Sequence, residues 1–300
     1  MGVALMSKIG FIGLGTMGMP MAQNLLRKGF ELIVHNRTRN KADELAPLGA
    51  VVADTAADVA READVVITML GDDASIEAMY YGQRGVFEGL RPGATVMDCS
   101  TVSPELSKRI AADMQARGGA FLDAPVTGSK PAAESGTLVF MVGGQAEAIE
   151  RVRDVLMAMG RDIVHMGPSG AGSQTKLAHN TMVGIHAAAL AEGLAMAVRA
   201  GIAPAQFLSV VQSGGAASKQ VELKRDKLLT RDYSNQFSLK FMLKDLRLAS
   251  AMTDAMQMPS PMLAEAKALF QMGESQGLGE MDLCSIIQLY EQWTDTRIEG

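Results

Sequence analysis

The sequence predicts an α/β protein: an N-terminal Rossmann-type dinucleotide-binding domain over residues 1–168 and an all-helical domain over 169–300, joined by a long helix. Three observations predict it. Short β-branched runs alternate with helical patterns from residue 8 to about 167, as in a parallel α/β sheet. A G-x-G-x-x-G motif at Gly13, Gly15 and Gly18 follows the first run directly and opens a helical pattern. After "GPSGAG" at 167–172 no convincing strand follows.

Taken in order, "KIGFIG", "ELIVH", "DVVITML", "ATVMDCS", "AFLDAPV", "TLVFMVGG" and "DIVHMG" read as strands. Between them "MAQNLLRKG", "PELSKRIAADMQARGG" and "AEAIERVRDVLMAMG" read as helices, the first and last ending at glycine. "SQTKLAHNTMVGIHAAALAEGLAMAVRAG" is expected as one helix of about 28 residues, roughly 40 Å long, closed by Gly201 and buried between neighbours. "PAQFLSVVQ", "LKFMLKDLRLASAMTDAMQ", "PMLAEAKALFQMGESQG" and "DLCSIIQLYEQWTD" continue as helices with short breaks.

Composition narrows the function. Three hundred residues at 48% hydrophobic content bury a substantial core. A net charge of -5 with dispersed lysine and arginine gives no broad basic surface, so neither nucleic acid nor an anionic membrane is expected as a partner. Two distant cysteines, Cys99 and Cys284, suggest no disulfide framework, and a reducing cytoplasm is the default. The opening "MGVALMSKIGFIGLG" lacks a basic leader and runs straight into a strand, so no signal peptide is read there. Charges such as Glu192 and Arg199 interrupt the alanine-rich stretches, which argues against a membrane span. His35, His165, His179 and His186 have no metal-ligand spacing, and no metal is expected.

The loop Gly13, Leu14, Gly15, Thr16, Met17, Gly18 is the first candidate site. Gly13 suits a tight turn, Gly15 the approach of a pyrophosphate to backbone amides, and Gly18 close packing of helix on strand. At the tip of the second strand stand Asn36, Arg37, Thr38 and Arg39, where an NAD enzyme usually carries a carboxylate for the ribose hydroxyl. Arg37 can offer a charged fork to a 2'-phosphate, with Asn36 and Thr38 as neutral donors, which favours NADP over NAD. The competing reading makes Arg37 and Arg39 solvated residues opening the next helix.

Further candidates lie at strand ends and on the long helix. Thr127, Gly128 and Ser129 follow a strand at the carboxyl edge of the sheet and can present amides to a substrate carboxylate, or form an ordinary turn. Lys176 and Asn180 stand four apart and share one helix face; a lone lysine there is otherwise a solvated residue. Met69 and Leu70 end a strand facing the cofactor, each nonspecific alone. Lys240, Lys244 and Asp245 are also readable as a solvated helix face.

Five segments in order, "GFIGLGTMGMPMAQNL", "DCSTVSPELSKRIA", "DAPVTGSKPAAESGTLVFMVGG", "GAGSQTKLAHN" and "LKDLRLA", together resemble the β-hydroxyacid dehydrogenase family over nearly the whole chain. That family includes 3-hydroxyisobutyrate dehydrogenases and tartronate semialdehyde reductases. "GSKPAAESG" looks most like the glyoxylate and succinic semialdehyde reductase branch, whose members generally use NADPH. The resemblance implies that Lys176 donates and accepts the proton while Asn180 orients substrate and lysine. It also implies that Thr101 lies near the nicotinamide ribose, and that Lys244 and Asp245 close the cofactor and substrate cleft. Phe237 stands where this branch often has an aromatic closing the substrate pocket, core packing being the equal alternative. Thr127 occupies a position that is commonly serine, and the added methyl narrows the pocket.

The expected activity is therefore NADPH-dependent reduction of a small carboxylate-bearing aldehyde, succinic semialdehyde or glyoxylate, to a hydroxyacid. Hydride comes from nicotinamide C4 and the proton from Lys176, whose acidity partial burial or Lys244 would raise. The alternatives are an NAD(P)-dependent 3-hydroxyisobutyrate dehydrogenase or tartronate semialdehyde reductase and, outside catalysis, an NADP-binding interaction module. The resemblance further implies a homodimer or homotetramer.

Overall fold

A computed structural model describes residues 8–300. The reading of the opening segment as lacking a signal peptide falls on residues 1–7, outside the described residues. Contacts divide the chain into two compact units, the first ending at Lys176 and the second beginning at Leu177.

The first unit is built on one sheet. Its strands are β1 Ile9–Ile12, β2 Leu32–His35, β3 Val51–Val52, β4 Val65–Thr68, β5 Thr95–Asp98, β6 Ala120–Asp123, β7 Val126–Thr127, β8 Leu138–Gly143 and β9 Gly160–Gly167. The order β3-β2-β1-β4-β5-β6 is parallel throughout, as in a doubly wound nucleotide fold. Its central strands read as unbroken apolar runs because both faces are covered. Ile9, Phe11, Val65, Ile67 and Met97 enter one core, whereas Ile12, Ile33, Val66 and Val96 enter the core on the opposite face. Side chains alternate along a strand, so each run serves two cores.

The sheet is not parallel to its end. β8 runs antiparallel to β6 and β7, and β9 is parallel to β8. Between β7 and β8 stands only the seven-residue helix Ser129–Ser135, and a parallel crossover needs a dozen or more residues. β3, two residues long, is too short for any periodicity to announce it. "AEAIERVRDVLMAMG" forms two helices, Ala146–Arg151 and Arg153–Met159, which meet at Val152.

The helix Ala171–Arg199 begins in the first unit and continues into the second. By length and composition it is apolar enough to cross a membrane. Gly201 follows it with φ +82°, the left-handed conformation that glycine adopts without strain. In the second unit the helices Pro204–Ser213, Lys219–Thr230, Leu239–Ala255, Pro261–Ser275 and Ile287–Thr294 enclose a core containing Leu194, Leu208, Leu228, Leu243, Phe270 and Ile287. Two of these helices begin at proline, which costs nothing where the N–H has no intrahelical partner.

Candidate active site

The glycine loop sits between β1 and the helix Gly18–Arg27, at the carboxyl ends of the parallel strands. Two of its glycines are required by the chain itself. Gly13 has φ +100°, and a Cβ there would lie 2.3 Å from the Met69 carbonyl oxygen. A Cβ at Gly18 would meet the Gly13 carbonyl at 1.9 Å. Gly15 differs: an added Cβ meets nothing within 4 Å, and both Gly15 and Thr16 are exposed. The space before Gly15 is therefore open to a ligand, which fits a pyrophosphate approaching the loop amides.

The tip of β2 lies against this loop. Asn36 Oδ1 accepts the Leu14 N–H at 2.9 Å, and its Nδ2 donates one hydrogen to the Thr38 carbonyl at 2.9 Å. Asn36 thus fastens strand tip to loop, a task that its sequence position did not reveal. Arg39 pairs with Asp43 at 3.6 Å and with Asp54. Arg37 and Thr38 are exposed, and the ion pairs of this tip described in the structure belong to Arg39.

Behind the β4 tip lies a buried polar network that sequence reading missed. The Leu70 N–H donates to Ser100 Oγ at 2.8 Å. Asp98 Oδ1 accepts from Thr68 Oγ1 at 2.8 Å and from the Ser100 N–H at 3.1 Å. The Tyr80 hydroxyl joins Thr68 Oγ1 at 2.9 Å. Asp98 Oδ2 is buried with no hydrogen-bond partner among the described residues, and burial pushes the carboxyl's pKa up to about 6. An aspartate ending the apolar run "ATVMD" was the available signal. Met69 and Leu70 are half-buried at the neighbouring tip, and half-buried Thr101 directly follows Ser100.

The segment after β6 carries the proposed substrate seat. Gly128 has φ +128° and Ser129 φ +58°, so a non-glycine residue stands in the left-handed region. Such strain concentrates where backbone groups must be aimed. The Lys176 ammonium donates to the Val126 carbonyl at 2.8 Å, one residue before Thr127. Asp123, which the sequence did not single out, accepts the Gly170 and Ser173 N–H groups at 2.8 Å each. Lys176 and the seat are therefore brought together within the first unit.

The second unit holds its own polar cluster. Asn180 Nδ2 donates to Asp245 Oδ2 at 2.6 Å, and Asn180 Oδ1 lies 2.9 Å from His179 Nδ1. Lys244 forms an ion pair with Asp245 at 3.0 Å. Asn180 and Asp245 are buried, whereas Lys244 is partly exposed. Asn180, Lys244 and Asp245 are one group rather than three solvated residues. Phe237 is half-buried against the helical core, and its N–H donates to Asp282 Oδ2 at 3.2 Å. That carboxylate is itself held by buried Lys224 at 2.8 Å.

Known proteins share this architecture. The profile described as the NAD binding domain of 6-phosphogluconate dehydrogenase matches residues 8–167, and that described as NAD-binding of NADP-dependent 3-hydroxyisobutyrate dehydrogenase matches residues 170–290. The NAD-dependent L-serine dehydrogenase of Pseudomonas aeruginosa is 38% identical over 293 residues, covering 95% of this chain and 98% of the relative. Glyoxylate/succinic semialdehyde reductase 2, chloroplastic, of Arabidopsis thaliana is 34% identical over 280 residues, covering 93% and 78% respectively. The crystal structure of 3-hydroxyisobutyrate dehydrogenase from Salmonella typhimurium superposes with a TM-score of 0.87 at 29% identity, covering 94% of this chain and 99% of that one.

Proposed function

Because the chain belongs to the 3-hydroxyisobutyrate dehydrogenase-like family of β-hydroxyacid dehydrogenases, we propose that it is an NADPH-dependent reductase of small carboxylate-bearing aldehydes, with glyoxylate and succinic semialdehyde as leading substrates. The coarser activity is that of an NAD(P)-dependent oxidoreductase acting on hydroxyacids or their carbonyl forms. The observation that carries the proposal is the Lys176 ammonium beside Thr127, Gly128 and Ser129, held by the Val126 carbonyl. The ammonium meets this carbonyl as a donor, as it would meet a substrate oxygen.

The loop Gly13–Gly18 would hold the pyrophosphate, Arg37 and Thr38 the 2'-phosphate, and Met69, Leu70 and Thr101 the nicotinamide end. Bound reduced nicotinamide supplies the hydride. Thr127, Gly128 and Ser129 would hold the substrate carboxylate in the first unit, and substrate-binding roles are assigned to Asn180 and Phe237 in the second by the family resemblance. Cofactor-binding roles are assigned to Lys244 and Asp245 by the same family resemblance. Lys176 gives a proton to the substrate oxygen as negative charge develops there, and its own charge stabilises that oxygen beforehand.

A second reading, an NAD-dependent hydroxyacid dehydrogenase, is favoured by the 38% identity to a relative named as NAD-dependent. Parallel initial rates with glyoxylate and with succinic, tartronate and methylmalonate semialdehydes, each with NADPH and NADH, separate the two. Preference for tartronate semialdehyde with NADH would replace the first reading. Self-association belongs to the same proposal, because Met182 and Met196 stand exposed on the long helix. Light scattering should give twice or four times the 31.8 kDa chain mass.

A further inference from the structure

The helix that carries Lys176 begins on a side chain distant in sequence. Asp123, at the end of β6 and only 1% exposed, accepts the Gly170 N–H on Oδ1 and the Ser173 N–H on Oδ2, both at 2.8 Å. The residue just before the helix is Gly170, which has no side chain to satisfy these first donors. Two further glycines admit the carboxylate. A Cβ at Gly143 would lie 2.5 Å from Asp123 Oδ1, and one at Gly172 would lie 3.0 Å from Asp123 Oδ2. Ser173 is gripped again, its hydroxyl 2.9 Å from Ser107 Oγ. Three residues beyond Asp123 the same segment offers the Val126 carbonyl to Lys176 and then forms the Thr127–Ser129 seat.

This arrangement has an electrostatic consequence. A helix start carries the equivalent of about half a positive charge. The Asp123 carboxylate, bonded to the Gly170 and Ser173 N–H groups, opposes the positive start of the helix that carries Lys176. Burial pushes Asp123 up in pKa while the Gly170 and Ser173 N–H groups pull it down. Other titratable groups on the elements packed around it are Asp98, its partner in register on β5; Lys108, whose stem lies against Gly170; and His165, bonded to the Gly144 and Gly167 carbonyls.

We propose that Asp123 is a positioning residue for the proton donor. Its two hydrogen bonds set the helix start so that Lys176 meets the Val126–Ser129 segment, and its charge offsets the positive end of the helix that carries the ammonium. The inference rests on the reading of Lys176 as proton donor, so Lys176→Ala is assayed in parallel.

The test is the pH profile of kcat for aldehyde reduction in Asp123→Asn and Asp123→Glu, with melting temperature and NADPH Kd recorded. Asn keeps shape but loses the charge and one acceptor. Its kcat should fall on the order of 100-fold, with NADPH Kd within about threefold. Its alkaline limb should move about one pH unit toward acid. Glu keeps the charge but displaces the oxygens, so kcat falls while the limb stays. A folded Asn variant with the parent's kcat, or with an unmoved limb, overturns the proposal. If the Asn variant does not fold, Glu decides, and parental kcat in Glu overturns it. Loss of turnover in Lys176→Ala beside an unaffected Asp123→Asn defeats the positioning role alone, whereas normal turnover in Lys176→Ala defeats the reading beneath it.

Discussion

The Lys176 ammonium and the Val126 carbonyl oxygen are 2.8 Å apart, which ties the side chain of one helix to the backbone that leads into Thr127. An ammonium is a donor only, so the bond to Val126 fixes where this lysine can present its proton.

Lys176→Ala should therefore retain cofactor binding and lose turnover. The glycine loop is formed by other residues, and only proton transfer and charge stabilisation are removed. A fall in kcat of about 100- to 10,000-fold is expected, with the NADPH Kd from fluorescence titration little changed. Near-parental kcat would remove the lysine from the mechanism.

Asn180→Ala should act on the aldehyde rather than on the cofactor. Asn180 donates to buried Asp245, so its removal also leaves that carboxylate short of a partner. A stability loss of about 1–3 kcal/mol is expected, together with a lower kcat/KM for the aldehyde. Collapse of NADPH binding in a folded variant would reassign the residue.

Asp98→Asn should stabilise the protein at neutral pH. Burial raises the Asp98 pKa from 3.8 to about 6, so between these values the folded chain binds more protons there than the unfolded chain. Stability then falls as pH rises through that window and levels off above it. Asparagine removes this dependence. The difference in unfolding free energy between variant and parent should grow by up to about 3 kcal/mol from pH 4 to pH 7. Denaturant melts at both pH values measure it, and a constant difference would show that Asp98 does not titrate there.

Legibility followed the range of the interactions. The loop at Gly13 and the apolar runs of β1, β4 and β5 were readable because local backbone demand and two-sided burial write themselves into consecutive residues. The reversal at β8 was not, since strand direction depends on crossover length rather than on strand composition. Asp123 and Asp98 escaped for a related reason. Apart from the Ser100 N–H beside Asp98, the partners named above lie 47, 50 and 30 residues away, and nothing near either aspartate in the sequence names them. Asn36 shows the limit most clearly: its strand-tip position suggests a ligand donor, and nothing there announces that its oxygen also accepts the Leu14 N–H.

That bond sharpens the test of cofactor choice. Arg37 is exposed at the β2 tip, and the neighbouring Arg39 pairs with Asp43 and Asp54. If Arg37 meets a 2'-phosphate, Arg37→Ala removes a charge-assisted contact that NADH never makes, and only NADPH should suffer. Such bonds contribute about 1.5 to 3 kcal/mol, or on the order of 10- to 150-fold in affinity. Asn36→Asp should push the same way by a different route. An aspartate oxygen can still accept the Leu14 N–H, so the loop keeps its tie, while the second oxygen replaces the donor to the Thr38 carbonyl and brings negative charge toward the phosphate. Both variants should shift kcat/KM toward NADH at saturating aldehyde while the pH profile governed by Lys176 stays put. An NADPH to NADH ratio unchanged in Arg37→Ala would return that residue to a solvated position at the start of the helix Arg39–Asp43.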